Sequence, residues 1–94
     1  MNRYMLLHYG FEKPAPEVMA AWHDWFASIA DITEDQGAHF AHGTEITRDG
    51  QSALPLGPDS ITGYTIIRAE SLAAAGEIAA RNPFIKAIRV YEMK

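Results

Sequence analysis

Bulky apolar side chains occupy both sets of alternate positions in the first segment of the chain, Arg3 to Tyr9. A β-strand points successive side chains to opposite faces. The two faces of this segment carry Tyr4, Leu6 and His8 on one side and Met5, Leu7 and Tyr9 on the other. A short chain with few helical segments can cover only one side of a sheet. The pattern therefore predicts a strand whose second face is covered by another subunit or by a ligand.

A helical repeat follows a short loop, Gly10 to Ala15, that contains Pro14. Pro16 stands where a helix can begin, because its missing N–H is not needed at the first helical position. Apolar side chains then recur with the helical period on both sides of Trp22, namely Val18, Met19, Trp25, Phe26, Ile29 and Ile32. Gly37 is typical of a left-handed helix stop. The segment is predicted to form an amphipathic helix over residues 16–36.

The middle of the chain carries a weaker strand signal and several turn residues. Ala38 to Thr47 indicates a second strand that is bent near Gly43. Asp49-Gly50 is typical of a turn. Arg48 to Ser60 is the longest loop-like segment and the expected mobile element.

A strand, a helix and a last strand complete the chain. Ile61 to Ala69 is rich in β-branched residues, and Gly63 within it indicates a bulge or a close backbone approach. Ser71 is a predicted N-cap for a helix that continues to Arg81. Ile85 to Met93 alternates as the final strand.

The predicted order is strand, helix, strand, strand, helix, strand, without internal repeats or a linker. This order is the split pattern of a ferredoxin-like sandwich. We therefore predict an α+β fold in which a four-stranded antiparallel sheet carries two helices on one face. A single domain over residues 1–94 is expected.

Composition narrows the classes of partner and of chemistry. The 94 residues are 48% hydrophobic, with a net charge of -4 and no cluster of lysine and arginine, which argues against nucleic acid or an anionic membrane as a partner. The absence of cysteine excludes disulfides, thiol catalysis and thiolate metal sites, and it suits a cytoplasmic protein. No apolar run reaches the roughly 18 to 20 residues of a membrane span, so we expect a soluble chain.

Four short motifs carry a family resemblance through their order and spacing. They are Tyr4-Met5-Leu6-Leu7-His8-Tyr9-Gly10, then Met19-Ala20-Ala21-Trp22, then Gly63-Tyr64-Thr65-Ile66-Ile67 with Ser71-Leu72, and finally Ala80-Arg81-Asn82-Pro83-Phe84. With these the chain resembles the YCII-related family, including its DGPF-motif branch, within the dimeric α/β-barrel group. The resemblance implies a homodimer in which two four-stranded sheets meet face to face. Such a dimer would supply the cover that the first strand requires.

The same resemblance implies an active site built on a histidine and an aspartate. The aspartate position, in an Asp-Pro-aromatic motif, carries Asn82, and the histidine of the first helix is His23. An asparagine can orient an imidazole but cannot stabilise an imidazolium as a carboxylate does. His23 and Asn82 are the catalytic candidates. The other interpretation is that His23 is a half-exposed boundary residue without a catalytic role.

Four further residues are candidates for binding a substrate: His8, Tyr64, Arg68 and Arg89. The two arginines lie on strands expected near the first one and could hold a carboxylate or phosphate, or else form ion pairs at the surface or dimer rim. Tyr64 could hydrogen-bond a substrate or serve as a core or interface residue.

The sequence gives no pattern typical of a metal or cofactor site. His39 and His42 are three positions apart on a predicted strand, so they point to opposite faces and cannot converge on one ion without a bend. A phosphate-binding glycine loop and a nucleophile elbow are also missing from the sequence. We expect neither a metal nor another cofactor.

Two functions remain open at this point. The first is a small enzyme that uses His23 for acid–base work on a small organic substrate, in a cleft between the first helix and the sheet. The alternative is a non-catalytic module that binds a small molecule or only dimerises, having lost the family carboxylate at Asn82.

Overall fold

A computed structural model describes residues 1–13 and 15–94 of the chain, so Pro14 of the predicted loop lies outside the described residues. The strands are β1 (Asn2–Tyr9), β2 (Thr33–Asp35), β3 (Gly43–Thr47), β4 (Gly50–Leu54), β5 (Ile61–Ala69) and β6 (Ala87–Met93). The helices are α1 (Pro16–Ser28) and α2 (Leu72–Ala80). In the described ranges, no helix is both long enough and apolar enough to cross a membrane.

Four of the strands form one antiparallel sheet in the order β2-β5-β1-β6, and β3 pairs with β4 in a separate hairpin. Leu6 pairs with Thr65 of β5 and with Val90 of β6, which fixes the register of the central strand on both sides. The two helices pack on the same face of this sheet. The predicted α+β, ferredoxin-like sandwich is confirmed, with the β3–β4 hairpin as an addition to it.

The core lies between the helices and one face of β1. Its buried members are Tyr4, Leu6, Trp25, Ile29, Ile67, Ala69, Ala75 and Ala79. The indole Nε1 of Trp25 donates a hydrogen bond to the carbonyl oxygen of Ile78 at 3.1 Å, which ties α1 to α2. Trp25 is therefore the buried tryptophan of α1, whereas Trp22 is only half-buried.

Local signals placed the second helix correctly. The side chain of Ser71 accepts a hydrogen bond from the backbone N–H of Ala74, as expected of an N-cap. Ala75 and Ala79 are buried against the sheet, and their small side chains let the helix lie close to it.

The opposite face of the sheet is open. Met5, Leu7 and Tyr9 of β1 are half-buried there, and the guanidinium of Arg89 lies 4.6 Å from the centre of the Tyr9 ring. Tyr91 is exposed beside them. The prediction that β1 has apolar side chains on two faces, only one of which the chain covers itself, agrees with this arrangement.

The first helix is shorter than the predicted range of 16–36, because it ends at Ser28. The carbonyl oxygen of Ile29, just past this end, accepts hydrogen bonds from the backbone N–H of Ile32 at 3.0 Å and from the hydroxyl of Thr33 at 2.8 Å. Thr33 then pairs with Ile67 of β5. The helical period continues to Ile32 in the sequence, but pairing with β5 outweighs the local helical preference.

Gly37 does not stop the helix, although it has the left-handed conformation with φ of 81°. A side chain at this position would collide with the carbonyl group of Tyr64. The glycine is required because the chain passes directly beside β5.

The predicted strand over residues 38–47 and the predicted loop over residues 48–60 were only partly right. His39 makes an isolated bridge to Gly63, and a regular strand begins at Gly43. Its partner is β4, which lies inside the predicted loop. The turn at Asp49-Gly50 is confirmed, since it closes this hairpin. The alternation of β4 contains few apolar residues, which is why the sequence pattern did not identify it.

Candidate functional site

A cleft of about 770 Å³ lies between α1 and the end of β1. Aromatic side chains contribute much of its wall: Phe11, Trp22, Phe26, Phe40 and Phe84. The polar side chains that line it include His8, Glu12, His23, Gln36, His39 and Thr62. An apolar cleft with a few convergent polar groups is the usual form of a small-molecule site.

His8 is a buried member of this lining, only 7% exposed. Its Nε2 atom lies 3.1 Å from the hydroxyl oxygen of Thr65, and that hydroxyl donates to the carbonyl oxygen of Gln36 at 3.3 Å. Because the Thr65 proton is committed to a carbonyl, the Thr65 oxygen accepts a hydrogen bond from the His8 Nε2–H. The Nδ1 atom of His8 then carries a lone pair, and it has no hydrogen-bond partner among the described residues.

The surroundings of His8 keep its ring neutral. Burial lowers the pKa of His8 to about 4, and the nearby His39 contributes to the lowering by repulsion between the two positive charges. The ring of Trp22 packs edge-on against it with 5.2 Å between centres, and Trp25 packs at 6.3 Å. At neutral pH the site therefore holds an uncharged imidazole that is fixed by aromatic packing and one hydrogen bond.

Two further histidines share the cleft. His23 lies on α1 and His39 on the segment beside β5, and both are exposed. His42 is exposed and does not line the cleft, and both His39 and His42 precede the regular strand β3, so their predicted opposition on a strand stays a prediction. Over residues 1–13 and 15–94, no group of three ligating side chains is close enough to hold a metal ion.

The structure separates the environments of the two predicted catalytic residues. His23 lines the cleft, whereas Asn82 is buried at the end of α2 and is not part of the cleft lining. Both side-chain polar atoms of Asn82 lack a hydrogen-bond partner in the described part of the chain, so it makes no hydrogen bond to His23 there. A catalytic pair of His23 and Asn82 stays a prediction.

The predicted substrate-binding residues do not form one group. Tyr64 and Arg89 are both paired with Leu7, and Arg68 is paired with Arg3. Paired residues share a face of the sheet, so these three side chains start from the open face, opposite the one that carries His8. The Tyr64 hydroxyl donates to Asp35 at 3.1 Å, which raises the pKa of Tyr64. Of the four candidates, His8 lines the main cleft, and binding roles for the other three stay predictions.

Sequence reasoning missed Thr65, Gln36 and the aromatic wall as parts of a site. Thr65 is fully buried and belongs to the face of β5 that packs under the helices. The alternation of β5 indicates which face of the sheet carries Thr65. The proximity of Thr65 to His8, which is 57 residues away in the chain, depends on the register between β1 and β5.

Comparisons with known proteins add information on the fold. No protein-family model and no curated protein matches the chain. Among solved structures the chain is similar to 5-chloro-2-hydroxyhydroquinone dehydrochlorinase (TftG) from Burkholderia phenoliruptrix AC1100, solved in complex with 2,5-dihydroxybenzoquinone. The two share 13% sequence identity at a TM-score of 0.55, over 98% of this chain and 93% of that chain. At this identity the similarity shows a common fold.

Proposed function

We propose that the cleft binds a small planar organic molecule and that the chain is an enzyme that moves protons on it. The observation that carries the proposal is the unpartnered Nδ1 of His8, a neutral imidazole held beside Trp22 in an aromatic-lined cleft. An unpaired buried acceptor is costly unless a ligand or water satisfies it. Nδ1 is covered by its neighbours in the free chain, so a ligand hydroxyl would complete it after the surrounding side chains shift.

In this proposal the ligand ring lies against the aromatic wall, with Trp22 and Phe26 on the α1 side. A proton leaves an oxygen or an activated carbon of the ligand for the Nδ1 atom of His8. It then returns to a different atom of the same ligand, so the reaction needs no redox partner. His23 lies on the cleft wall with an exposed ring and would exchange protons with solvent. The bound ligand of the structurally similar dehydrochlorinase, a dihydroxybenzoquinone, supports an oxygenated ring as the ligand class.

The alternative is a module that binds the same kind of ligand without turning it over. It is favoured by the low pKa of His8, about 4, which makes that ring a weak base. It is also favoured by Asn82, which stands where the family resemblance implies a carboxylate.

The test uses 2,5-dihydroxybenzoquinone as the probe and the quenching of tryptophan fluorescence as the measure of binding. We expect saturable quenching, and we expect His8→Gln to weaken binding by about tenfold or more because it changes the acceptor at the floor of the site. His42→Gln is the matched control, since His42 is exposed outside the cleft. Absence of saturable binding, or equal loss in both variants, would contradict the proposed site.

A second measurement separates the two functions. Proton NMR in D₂O follows the exchange of the ring C–H of the bound probe. We expect exchange that is faster with the wild-type protein than with His8→Gln or His23→Gln. Binding without accelerated exchange would contradict the proposed enzymatic activity and support the binding module.

We further propose that the protein is a homodimer formed through the open face of the sheet, as the resemblance to the YCII-related family implies. The half-buried Met5, Leu7 and Tyr9 and the exposed Tyr91 support it, because a partner sheet would cover them. Tyr91→Asp should shift the protein toward monomer in sedimentation experiments.

The proposed membership in the YCII-related family rests on the order of the motifs, and the proposed cytoplasmic location rests on the lack of cysteine.

A further inference from the structure

The β3–β4 hairpin is not packed by the other residues that the structure describes. All five residues of each strand are exposed, and Ile46, the fourth residue of β3, is 70% exposed. A single two-stranded hairpin is marginally stable by itself in water. Within the described part of the chain, this hairpin therefore lacks the packing partner that such an element normally requires.

The accessible surface area of the chain also indicates that a packing partner is missing. A monomer of 10.4 kDa is expected to expose about 5,400 Å², and this chain exposes 6533 Å². Its radius of gyration is 14.3 Å, against about 12.4 Å for a compact domain of this length. The excess of about 1,100 Å² is comparable with the roughly 800 Å² that each partner buries in a standard protein interface.

The hairpin begins beside β5, because the segment before it bridges to that strand through His39 and lines the cleft with Phe40. The ring of Phe40, three residues before β3, lies 5.9 Å from the ring of Tyr64, which starts from the open face of the sheet. The backbone N–H of Phe40 is held by the carbonyl oxygen of Thr62 at 2.8 Å. The base of the hairpin is thus fixed to the sheet, whereas β3 and β4 pair with each other in a separate two-stranded sheet.

We propose that the β3–β4 hairpin is an arm that packs against a second copy of this chain. It continues the interface that the open sheet face forms in the proposed homodimer, so this inference rests on that part of the proposed function. In a twofold dimer the same contact occurs twice, once from each arm. The pairs Thr44↔Ala53 and Ile46↔Gln51 place Ile46 with Ala53 and Thr44 on one face of the arm. This is the face that contacts the partner.

The test measures the dimer dissociation constant by sedimentation velocity over a concentration series. We expect Ile46→Asp to raise it by about tenfold or more, because a charge at the centre of an apolar contact must be desolvated. Thr47→Asp is the matched control, since it adds the same charge on the opposite face of the same strand. It should change the constant by less than about threefold.

A second variant replaces residues 43–54 with two glycines. Gly43 and Leu54 are paired neighbours, so the shortened chain can close without disturbing Phe40 or Thr62. We expect an intact fold by circular dichroism and a protein that is monomeric where the wild type is dimeric. The proposed arm would be contradicted if the wild type were monomeric. It would also be contradicted if Ile46→Asp and the shortened chain both dimerised as strongly as the wild type. If Tyr91→Asp dissociates the dimer and the arm variants do not, the result supports the dimer through the sheet face and contradicts the contact made by the arm.

Discussion

His8 and Thr65 lie diagonally across the pairing of β1 and β5, and the Nε2 atom of His8 is 3.1 Å from the Oγ1 atom of Thr65. The residue directly opposite His8 is Gly63, and a Cβ atom there would stand 3.8 Å from the His8 ring and 2.8 Å from the backbone oxygen of Ala38. The glycine thus leaves room for the passing segment, and the threonine orients the imidazole. The proposed chemistry depends on this orientation, because it decides which ring nitrogen is free.

Thr65→Val should disturb the tautomer of His8, while Thr65→Ser should preserve it. Valine keeps the shape of the side chain but leaves the buried Nε2–H without an acceptor, at a cost of about 1 to 3 kcal/mol. Nitrogen-15 NMR distinguishes the protonated from the unprotonated ring nitrogen. The same unprotonated Nε2 in wild type and both variants would show that Thr65 does not accept a hydrogen bond from His8.

The free energy of unfolding should decrease as the pH is lowered from about 6.5 to about 4. Burial lowers the pKa of His8 from 6.5 to about 4 in the folded chain, so in this interval the unfolded chain binds a proton that the folded chain does not. This stabilising contribution is complete above pH 6.5 and is lost as the pH falls, by at most about 3 kcal/mol. Urea unfolding at several pH values measures it. In His8→Gln this part of the pH dependence should vanish; an unchanged profile would contradict the assignment to His8.

Trp25→Ala should cost about 3 to 5 kcal/mol of unfolding free energy, as for a large aromatic residue removed from a core. Trp25 is 4% exposed and its indole N–H is bonded to Ile78. Trp22→Ala is the comparison, because that ring lines the cleft and is only half-buried. It should cost less than Trp25→Ala in the same denaturant titration. The reverse order would mean that α1 is rotated relative to the sheet.

Two glycine substitutions should have opposite effects on stability. Gly37→Ala forces a side chain into a left-handed backbone and against the carbonyl group of Tyr64, so it should destabilise by more than about 2 kcal/mol. Gly76 lies within α2, and an added Cβ there would meet no described atom within 4 Å beyond its chain neighbours and the backbone of its own helix, so Gly76→Ala should stabilise by about 0.5 to 1 kcal/mol. Thermal unfolding measures both. Tolerance of alanine at Gly37 would contradict the close passage beside β5.

The Asn82→Asp variant tests the predicted pair with His23. A carboxylate near His23 would stabilise the imidazolium form, so the exchange rate of the probe at pH 7 should rise by about tenfold. The gain should be absent when His23→Gln is added. A folded Asn82→Asp protein with no gain, or a gain that survives without His23, would show that the two residues do not act together.

Local pattern determined much of the architecture of this protein. The alternation of Arg3 to Tyr9 predicted a strand with two apolar faces, and Ser71 predicted the start of α2. These features depend on neighbours in sequence, because side-chain direction in a strand and capping of a helix are set within a few residues. The order of the elements was enough to predict the ferredoxin-like sandwich.

Only the tertiary structure decided where α1 ends and which polar groups meet. Thr33 leaves the helical pattern because β5 offers it a pairing partner 34 residues away in the chain. His8 meets Thr65, while Arg68 and Arg89 start from the opposite face, because a shift of one residue in strand register exchanges the two faces of a sheet. That register results from the packing of distant segments against one core, and a pattern read along the chain does not contain it.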